Sequence, residues 1–197
     1  SLQSTPAHDL ATIGDGGALE LYDGALRLRD PDGALVLDYP AENYCQMLVE
    51  ETFTHTYAKQ IRTRLPGGAL VQHRVGPLAR INCAEHIDTE LAQKELEELR
   101  SRWGRPCHLP VVGHLARLIE LLHCAEAAAR LVEDDALFDA HVREKVSKAP
   151  RNGIAHVEAP RGVLVHDFTV DKNGLVEKAN LLVATQRLVE LNGGREH

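Results

Sequence analysis

Leucines alternate with polar residues early in the chain. Ala18-Leu19-Glu20-Leu21-Tyr22 is followed by Asp23-Gly24 and then by Ala25-Leu26-Arg27-Leu28-Arg29. A period of two puts alternate side chains on one face of a strand, and Asp-Gly suits both positive-φ positions of a type I′ turn. A second turn, Asp30-Pro31-Asp32-Gly33, leads into Ala34-Leu35-Val36-Leu37-Asp38. The pattern predicts a three-stranded β-meander over 18–38. Beyond Pro40 the period changes to about 3.6. Cys45, Leu48, Val49, Thr52 and Phe53 form one stripe with acids opposite, which predicts an amphipathic helix. Pro66-Gly67-Gly68 stops that pattern, and 69–74 reads as a short strand. Asp88 is a candidate N-cap for a helix whose inner face is Ala92, Leu96, Leu99 and Trp103, ending at Gly104. Pro110 opens the longest helix, with Val111, Leu115, Leu118, Ile119, Leu122, Ala125, Ala129 and Val132 at helical spacing. A shorter helix is expected over 136–146. Strand-like 162–170, the turn Asp171-Lys172-Asn173-Gly174 and strand-like 175–185 predict a C-terminal β-hairpin. Strands, then helices, then strands make the fold class α+β.

Composition narrows the function classes. The 197 residues are 44% hydrophobic and 26% charged, enough apolar mass for a core and too little charge for a solvated disordered chain. Lys plus Arg is 22 against 29 for Asp plus Glu, a net charge of −7, so no basic face is available for nucleic acid. No apolar run approaches the ~18 residues that cross a bilayer. Residues 1–9 carry no secretion signal pattern, so secretion is unsupported, and four dispersed cysteines without pair spacing make the expected location cytoplasmic. Residues 1–17, rich in Ser, Thr, Pro and Gly, are expected to be a loose N-terminal segment. Residues 18–185 are expected to form a single α+β domain. Cys45, Cys83, Cys107 and Cys124 are widely spaced and expected to be reduced core thiols.

Motif chemistry is sparse. Cys83-x-x-His86, Cys107-His108 and His123-Cys124 have fragments of metal-ligand spacing, but no second pair completes a four-ligand set. His114 and His123 read as helix residues. Gly-x-Ser-x-Gly is absent, and Ser1, Ser4, Ser101 and Ser147 do not sit on a strand-to-helix elbow. Gly14-x-Gly16-Gly17 precedes a strand instead of opening a helix, so it does not read as a phosphate loop.

Two segments are more elaborate than packing requires. Arg74-Val75-Gly76-Pro77-Leu78-Ala79-Arg80 brackets a Gly-Pro turn with arginines, and Glu158-Ala159-Pro160-Arg161-Gly162 places an acid and an arginine around a proline. Proline fixes φ, so Arg161 is either a preorganised fork for a buried anion or one half of an ion pair with Glu158. Together with Thr89-x-Leu91-Ala92, His114-x-Ala116-Arg117-x-Ile119-Glu120 and Asn180-Leu-Leu-Val-Ala-Thr185, these segments resemble the large subunits of nickel–iron hydrogenases, chiefly the cytoplasmic group linked to NAD(P) or another soluble carrier. The likeness runs over 18–185 and leaves 186–197 as a C-terminal tail outside it. Two departures lie within or beside it: Thr89-Glu90-Leu91-Ala92 where relatives read Thr-Pro-Leu-Ala, and Gln186-Arg187-Leu188 where they place an asparagine.

The resemblance implies a parent reaction, reversible oxidation of H2 to two protons and two electrons. It implies a nickel–iron centre held by two C-x-x-C motifs, neither of which occurs in this sequence. The chain is thus expected to be a middle segment that binds no cofactor alone and is inactive alone. Its partners would be an iron–sulfur small subunit together with the remainder of the large subunit. By the resemblance, Arg161 would donate toward one cyanide on the iron and influence hydrogen splitting, and Thr185 would hydrogen-bond the other cyanide. Arg74, Arg80 and Glu158 are expected to be structural, the arginines bridging acids elsewhere in the parent. His166 is open between a surface strand residue and a donor near the site. The alternative function is a non-catalytic interaction or assembly domain derived from that large subunit. In either case an apolar patch above ~600 Å² is expected to be exposed and to drive self-association.

Overall fold

The computed structural model describes residues 4–54, 56–142 and 151–184. Its elements in chain order are β1 (His8–Ile13), β2 (Ala25–Arg29), β3 (Leu35–Pro40), α1 (Tyr44–Met47), β4 (Leu48–Phe53), β5 (Thr56–Arg64), β6 (Leu70–Val71), β7 (His73–Arg74), α2 (Pro77–Cys83), α3 (Glu90–Trp103), α4 (Val112–Leu131), β8 (Asn152–Ala159), β9 (Gly162–Val170) and β10 (Val176–Leu182). The fold class is α+β, with the three longest helices between two regions of strands.

The first sheet has the order β3-β2-β1-β7, with β1 antiparallel to β2 and parallel to β7. The meander is therefore real but begins earlier than its leucines suggest. Its first strand is His8–Ile13, inside the segment expected to be loose, while Leu19 forms only an isolated bridge to Ile13. The reason is burial on both faces. Leu10 points into one core cluster and Ala11 and Ile13 into the other, so β1 lacks the apolar–polar alternation of a half-solvated strand.

A second difference concerns 45–53. Only Tyr44–Met47 is helical, and Leu48–Phe53 then pairs antiparallel with β5. Val49, Thr52 and Phe53 are stiff or aromatic side chains that fit a pleated surface better than a helix. Glu50 meets Lys59 across the hairpin at 3.4 Å. The acids opposite the supposed helical stripe are thus cross-strand partners.

Helix α3 follows the expectation closely. Thr89, one residue after the expected cap, precedes it, and Gly104 ends it at φ 80. Its first turn receives a carboxylate from α4: Glu126 accepts from the backbone N–H groups of Leu91 (3.1 Å) and Ala92 (2.9 Å). That arrangement satisfies orphan donors at the positive end of the helix. Helix α4 meets the expectation only in part: of the predicted stripe, Ile119 is buried and Leu122 packs against the core. Its inward residues are Val112, Ala116, Ile119 and Glu120, whereas Val111, Leu115 and Leu118 of the predicted stripe are exposed. Within the expected helix over 136–146, Asp135–Phe138 forms a short 3-10 turn, and residues 143–150 lie outside the described residues.

The C-terminal sheet has the order β10-β9-β8. The hairpin β9–β10 turns at Asp171, whose Oδ1 accepts from the N–H groups of Asn173 and Leu175, both at 2.8 Å. Strand β8 extends the expected hairpin to three strands. Tyr44 fastens this sheet to α1: its hydroxyl donates to Asp167 (2.8 Å) and accepts from Asn180 (3.0 Å). Burial leads the factors that push the Tyr44 phenol up to about 12. Among the described residues no helix is long and apolar enough to cross a membrane.

Candidate functional site

The segments around Arg80 and Arg161 meet at one place. Gly76 precedes α2 and Pro77 takes its first position, where a missing N–H costs nothing and φ is already helical. Helix α2 carries Arg80 into the interior, 2% exposed, between α4 and the tip of the β8–β9 hairpin. Its Nε and Nη2 donate to Glu120 Oε1 and Oε2 at 2.6 and 2.7 Å. Nη1 donates to Glu158 Oε2 at 2.7 Å and to the Ala159 carbonyl at 3.1 Å. Nη2 also reaches the Pro160 carbonyl at 3.5 Å. These contacts engage all five donors of a guanidinium, the condition under which a buried charge is tolerated.

Glu158 is equally enclosed. Its other oxygen accepts from the backbone N–H of Thr12 at 2.8 Å, tying the hairpin to β1. Burial raises the Glu158 carboxyl above its ordinary value, and Glu120 adds to the rise, while Arg80 and the Thr12 N–H act against it. Burial also opposes the charge on Arg80, but its hydrogen bonds to Glu120 and the two neighbouring carboxylates hold it firmly protonated. The expected partner acids for the arginine were placed only elsewhere in the parent. They are Glu120 and Glu158 of the same chain, so Arg80 is structural and self-contained.

Pro160 and Arg161 form the two-residue turn between Ala159 and Gly162. The turn is held from behind as well as by Arg80. A Cβ on Gly162 (φ +129) would lie 2.6 Å from Val75 Cβ, and one on Gly76 (φ +91) would lie 3.0 Å from the Arg161 carbonyl oxygen. The two glycines let the turns interlock backbone to backbone. Arg161 itself is exposed, and its guanidinium makes no hydrogen bond or ion pair among the described residues. The Glu158–Arg161 ion pair is thus not formed, because Glu158 faces inward to Arg80. Thr185, the other expected site residue, lies outside the described residues.

Arg74 has its own internal partner. Its Nε and Nη2 donate to Asp9 Oδ1 (2.7 Å) and Oδ2 (2.9 Å), and Asn82 Nδ2 donates to the same carboxylate at 2.8 Å. Asn82 also pairs with the Cys107 backbone in both directions, at 2.9 and 3.0 Å, which straps the loop before α4 to the sheet. Asp9, Glu120 and Asn82 were missed as members of these networks. Glu120 left a readable trace, an acid on the inward face of α4 beside Ala116 and Ile119. Asp9 left none, since its strand went unrecognised.

A broad cleft of about 1430 Å³ lies on the other side of β8, between the Gly14–Gly17 turn and His156 and His166. His166 is an exposed strand residue stacked edge-on against Phe168, ring centres 5.7 Å apart. His156 is half-buried, and desolvation lowers its pKa while Asp23 and Glu42 partly offset that. Acids dominate this rim, and Arg27 beside it is paired to Asp38 at 2.7 Å.

The thiols do not fit a metal centre. Cys83 donates to the Asp9 carbonyl at 3.3 Å, and burial pushes its thiol well up from the ordinary value. Cys107 is buried in the same core cluster, and the expectation of core thiols fails for Cys45 and Cys124, which are exposed. His86 pairs with Asp88 and His123 with Thr89. Among the described residues no three His, Cys, Asp or Glu side chains are grouped to hold a metal ion. A nickel–iron centre needs converging soft ligands, so no step through such a centre follows from these residues.

No family model matches the sequence. The chain is 37% identical over 169 residues, 86% of its length, to a vhu subunit of the F420-non-reducing hydrogenase of Methanococcus voltae, of which this covers 40%. It is 32% identical over 184 residues to an iron-sulfur subunit of the F420-non-reducing hydrogenase of Archaeoglobus profundus, covering 89% of this chain and 38% of that one. A solved NAD+-reducing [NiFe]-hydrogenase in the H2-reduced state superposes with a TM-score of 0.87 at 30% identity, over 96% of this chain and 42% of the other. The chain thus spans about two fifths of the length of the relatives it matches. Similarity to hydrogenase subunits, which are oxidoreductases, stands. The finer expectation is corrected. The sequence relatives are named as hydrogenase subunits, in one case an iron-sulfur subunit, and not as a nickel–iron large subunit, while the expected likeness to NAD-linked hydrogenases agrees with the NAD+-reducing enzyme that superposes on the chain. The function built on that assignment, a segment lining a nickel–iron centre, is withdrawn with it.

Proposed function

We propose that this chain is a framework segment of a hydrogenase subunit: it assembles with further hydrogenase polypeptide and does not turn over hydrogen alone. The observation that carries the reading is the likeness over 86% of the chain to a hydrogenase subunit of which it spans 40%. The buried networks of Arg80 and Arg74 support a framework role, because each is closed by acids of the chain itself. The assembly's reaction is H2 giving two protons and two electrons, with the metal groups held by polypeptide outside this chain. Four free thiols support a reducing, cytoplasmic setting.

Arg161 has a narrower role in this reading. Its turn is fixed from behind by Arg80 and the Gly76–Gly162 interlock, and its fork of donors is presented outward. We assign it to an anionic group contributed from outside the chain, since a preorganised guanidinium loses little entropy on pairing. Thr185 is carried as a candidate donor to the same group.

Co-expression tests the assembly. The chain is produced alone and together with polypeptide covering the unmatched part of a related subunit, and hydrogen-dependent reduction of a viologen dye is measured. Activity confined to the co-purified complex supports the reading. Dye reduction by the chain alone, or failure of the two polypeptides to co-purify, overturns it.

A further inference from the structure

Helix α4 has two apolar faces, and the fold covers one of them. Val112, Ala116 and Ile119 are buried against α2 and α3. At 100° per residue, Val111, Leu115, Leu118, Leu121, Ala125 and Val132 occupy a separate arc on the outer side. Leu118 is 61% and Leu121 65% exposed. Scattered exposed leucines are ordinary, but a stripe interrupted only by His114 near its start is not: it runs the 20-residue length of α4, roughly 30 Å at 1.5 Å per residue. Along its flank the stripe drops into a groove of about 320 Å³ between α3 and α4, floored by Leu99, Trp103, Ile119 and Leu122.

We propose that this stripe and groove seat one amphipathic helix belonging to the hydrogenase polypeptide outside this chain, with lysines or arginines along the edge that meets α3. The proposal rests on the framework reading and adds the surface and the chemistry of its partner. Two observations choose the occupant. The matched relatives carry about three fifths of their length beyond the region this chain spans, so a segment long enough to lie along α4 is available in such a subunit. The groove's α3 rim carries Glu95 and Glu98, while the one cation beside them, Arg102, lies over the Trp103 ring, 5.7 Å from its centre. An antiparallel second copy would set this rim against itself and bring like charges together, which disfavours self-pairing.

The test uses the full chain and, as probe, the unmatched portion of the 37%-identical subunit, co-expressed and purified at two salt concentrations. The wild type is expected to bind. Leu118→Glu with Leu121→Glu, both exposed positions that leave the core untouched, is expected to weaken binding at least 100-fold. Glu95→Lys with Glu98→Lys is expected to weaken it several-fold at low salt and less at high salt. If the leucine variant binds as wild type does, the stripe is not the seat and this inference fails, while the framework reading survives. If the wild type does not bind, both fail. Dimerisation of the wild type alone that the leucine variant abolishes also overturns the inference.

Discussion

Arg80 on α2 and Glu120 on α4 meet fork to fork, with both nitrogen–oxygen distances at or below 2.7 Å and both side chains out of water. This pair joins the helix after the Gly-Pro turn to the longest helix, and its remaining donors reach the β8–β9 tip. A buried guanidinium with every donor paired adds little net energy over an apolar substitute, yet removing it strands two carboxylates. Arg80→Met is therefore expected to cost about 3–5 kcal/mol. Glu158→Gln, which removes a carboxyl that burial already disfavours as an anion and keeps an acceptor for the Thr12 N–H, is expected to cost about 1 kcal/mol. Urea denaturation of the three proteins measures the order. Equal losses would mean that Arg80 and Glu158 are not coupled as described.

The interlock of the two glycine turns makes a steric prediction. Gly162→Ala must move Val75 or the Gly76 backbone, each within 3 Å of the new Cβ, and must also hold a positive φ. Gly67→Ala bears only the φ penalty, because nothing lies within 4 Å of its Cβ position. The second variant is expected to lose about 1 kcal/mol and the first at least ~2 kcal/mol more. Matching denaturation midpoints would show that the tip is not held by close backbone approach.

Arg161 separates stability from assembly. Its side chain bonds nothing among the described residues, so Arg161→Ala is expected to leave the urea midpoint of the isolated chain within ~0.5 kcal/mol of wild type. In the co-expressed complex the same change is expected to lower hydrogen-dependent dye reduction at least tenfold. An unchanged complex would remove Arg161 from the site.

What the sequence made legible follows from locality. Asp171 and Gly174, and the succession Ala92, Leu96, Leu99 and Gly104, are read within a few residues, and these elements stand where their residues put them, with the helix cap at Thr89 one residue past the expected Asp88. The buried networks were not legible, because Arg80 finds Glu158 78 residues away and Arg74 finds Asp9 across 65. Helix α4 shows a subtler limit. Periodicity reports an apolar face but not which of two such faces the domain covers, so Leu118 stood where Ala116 belonged. At Leu48–Phe53 a helical stripe and a strand composition competed, and the available edge of β5 decided for the strand.

Histidines set a pH dependence. Burial lowers the pKa of His156 and of His8 from 6.5, with nearby acids partly opposing it in each case. A depressed histidine pKa means the unfolded chain binds the proton more readily, so stability is whole above about pH 6.5 and declines as pH falls toward the lower folded values. The raised carboxyl of Glu158 contributes with the opposite sign as pH falls, so the comparison must be made between variants. His8→Gln with His156→Gln is expected to flatten the fall in urea midpoint between pH 7.5 and roughly 5 relative to wild type. A parallel pH profile in the two proteins would show that neither ring is held neutral by the fold.

The four thiols offer the last check, because their burial divides them two and two. Cys45 and Cys124 are exposed, whereas Cys83 and Cys107 lie in the interior. Thiolate, not thiol, attacks a disulfide reagent, and the Cys83 thiol is pushed up from its ordinary range by burial, with Asp9 adding to the effect. Native protein treated with an aromatic disulfide at pH 8 is therefore expected to release about two equivalents quickly and the other two only on unfolding. Adding urea should make all four react together. The Arg74→Met variant should open Cys107 before Cys83: Asn82 would then be the chief remaining tie between Asp9 and the Cys107 loop, while Cys83, at the end of α2, stays packed against β1. Four fast thiols in the native chain would contradict the packing of α2 against β1 on which the Arg80 site depends.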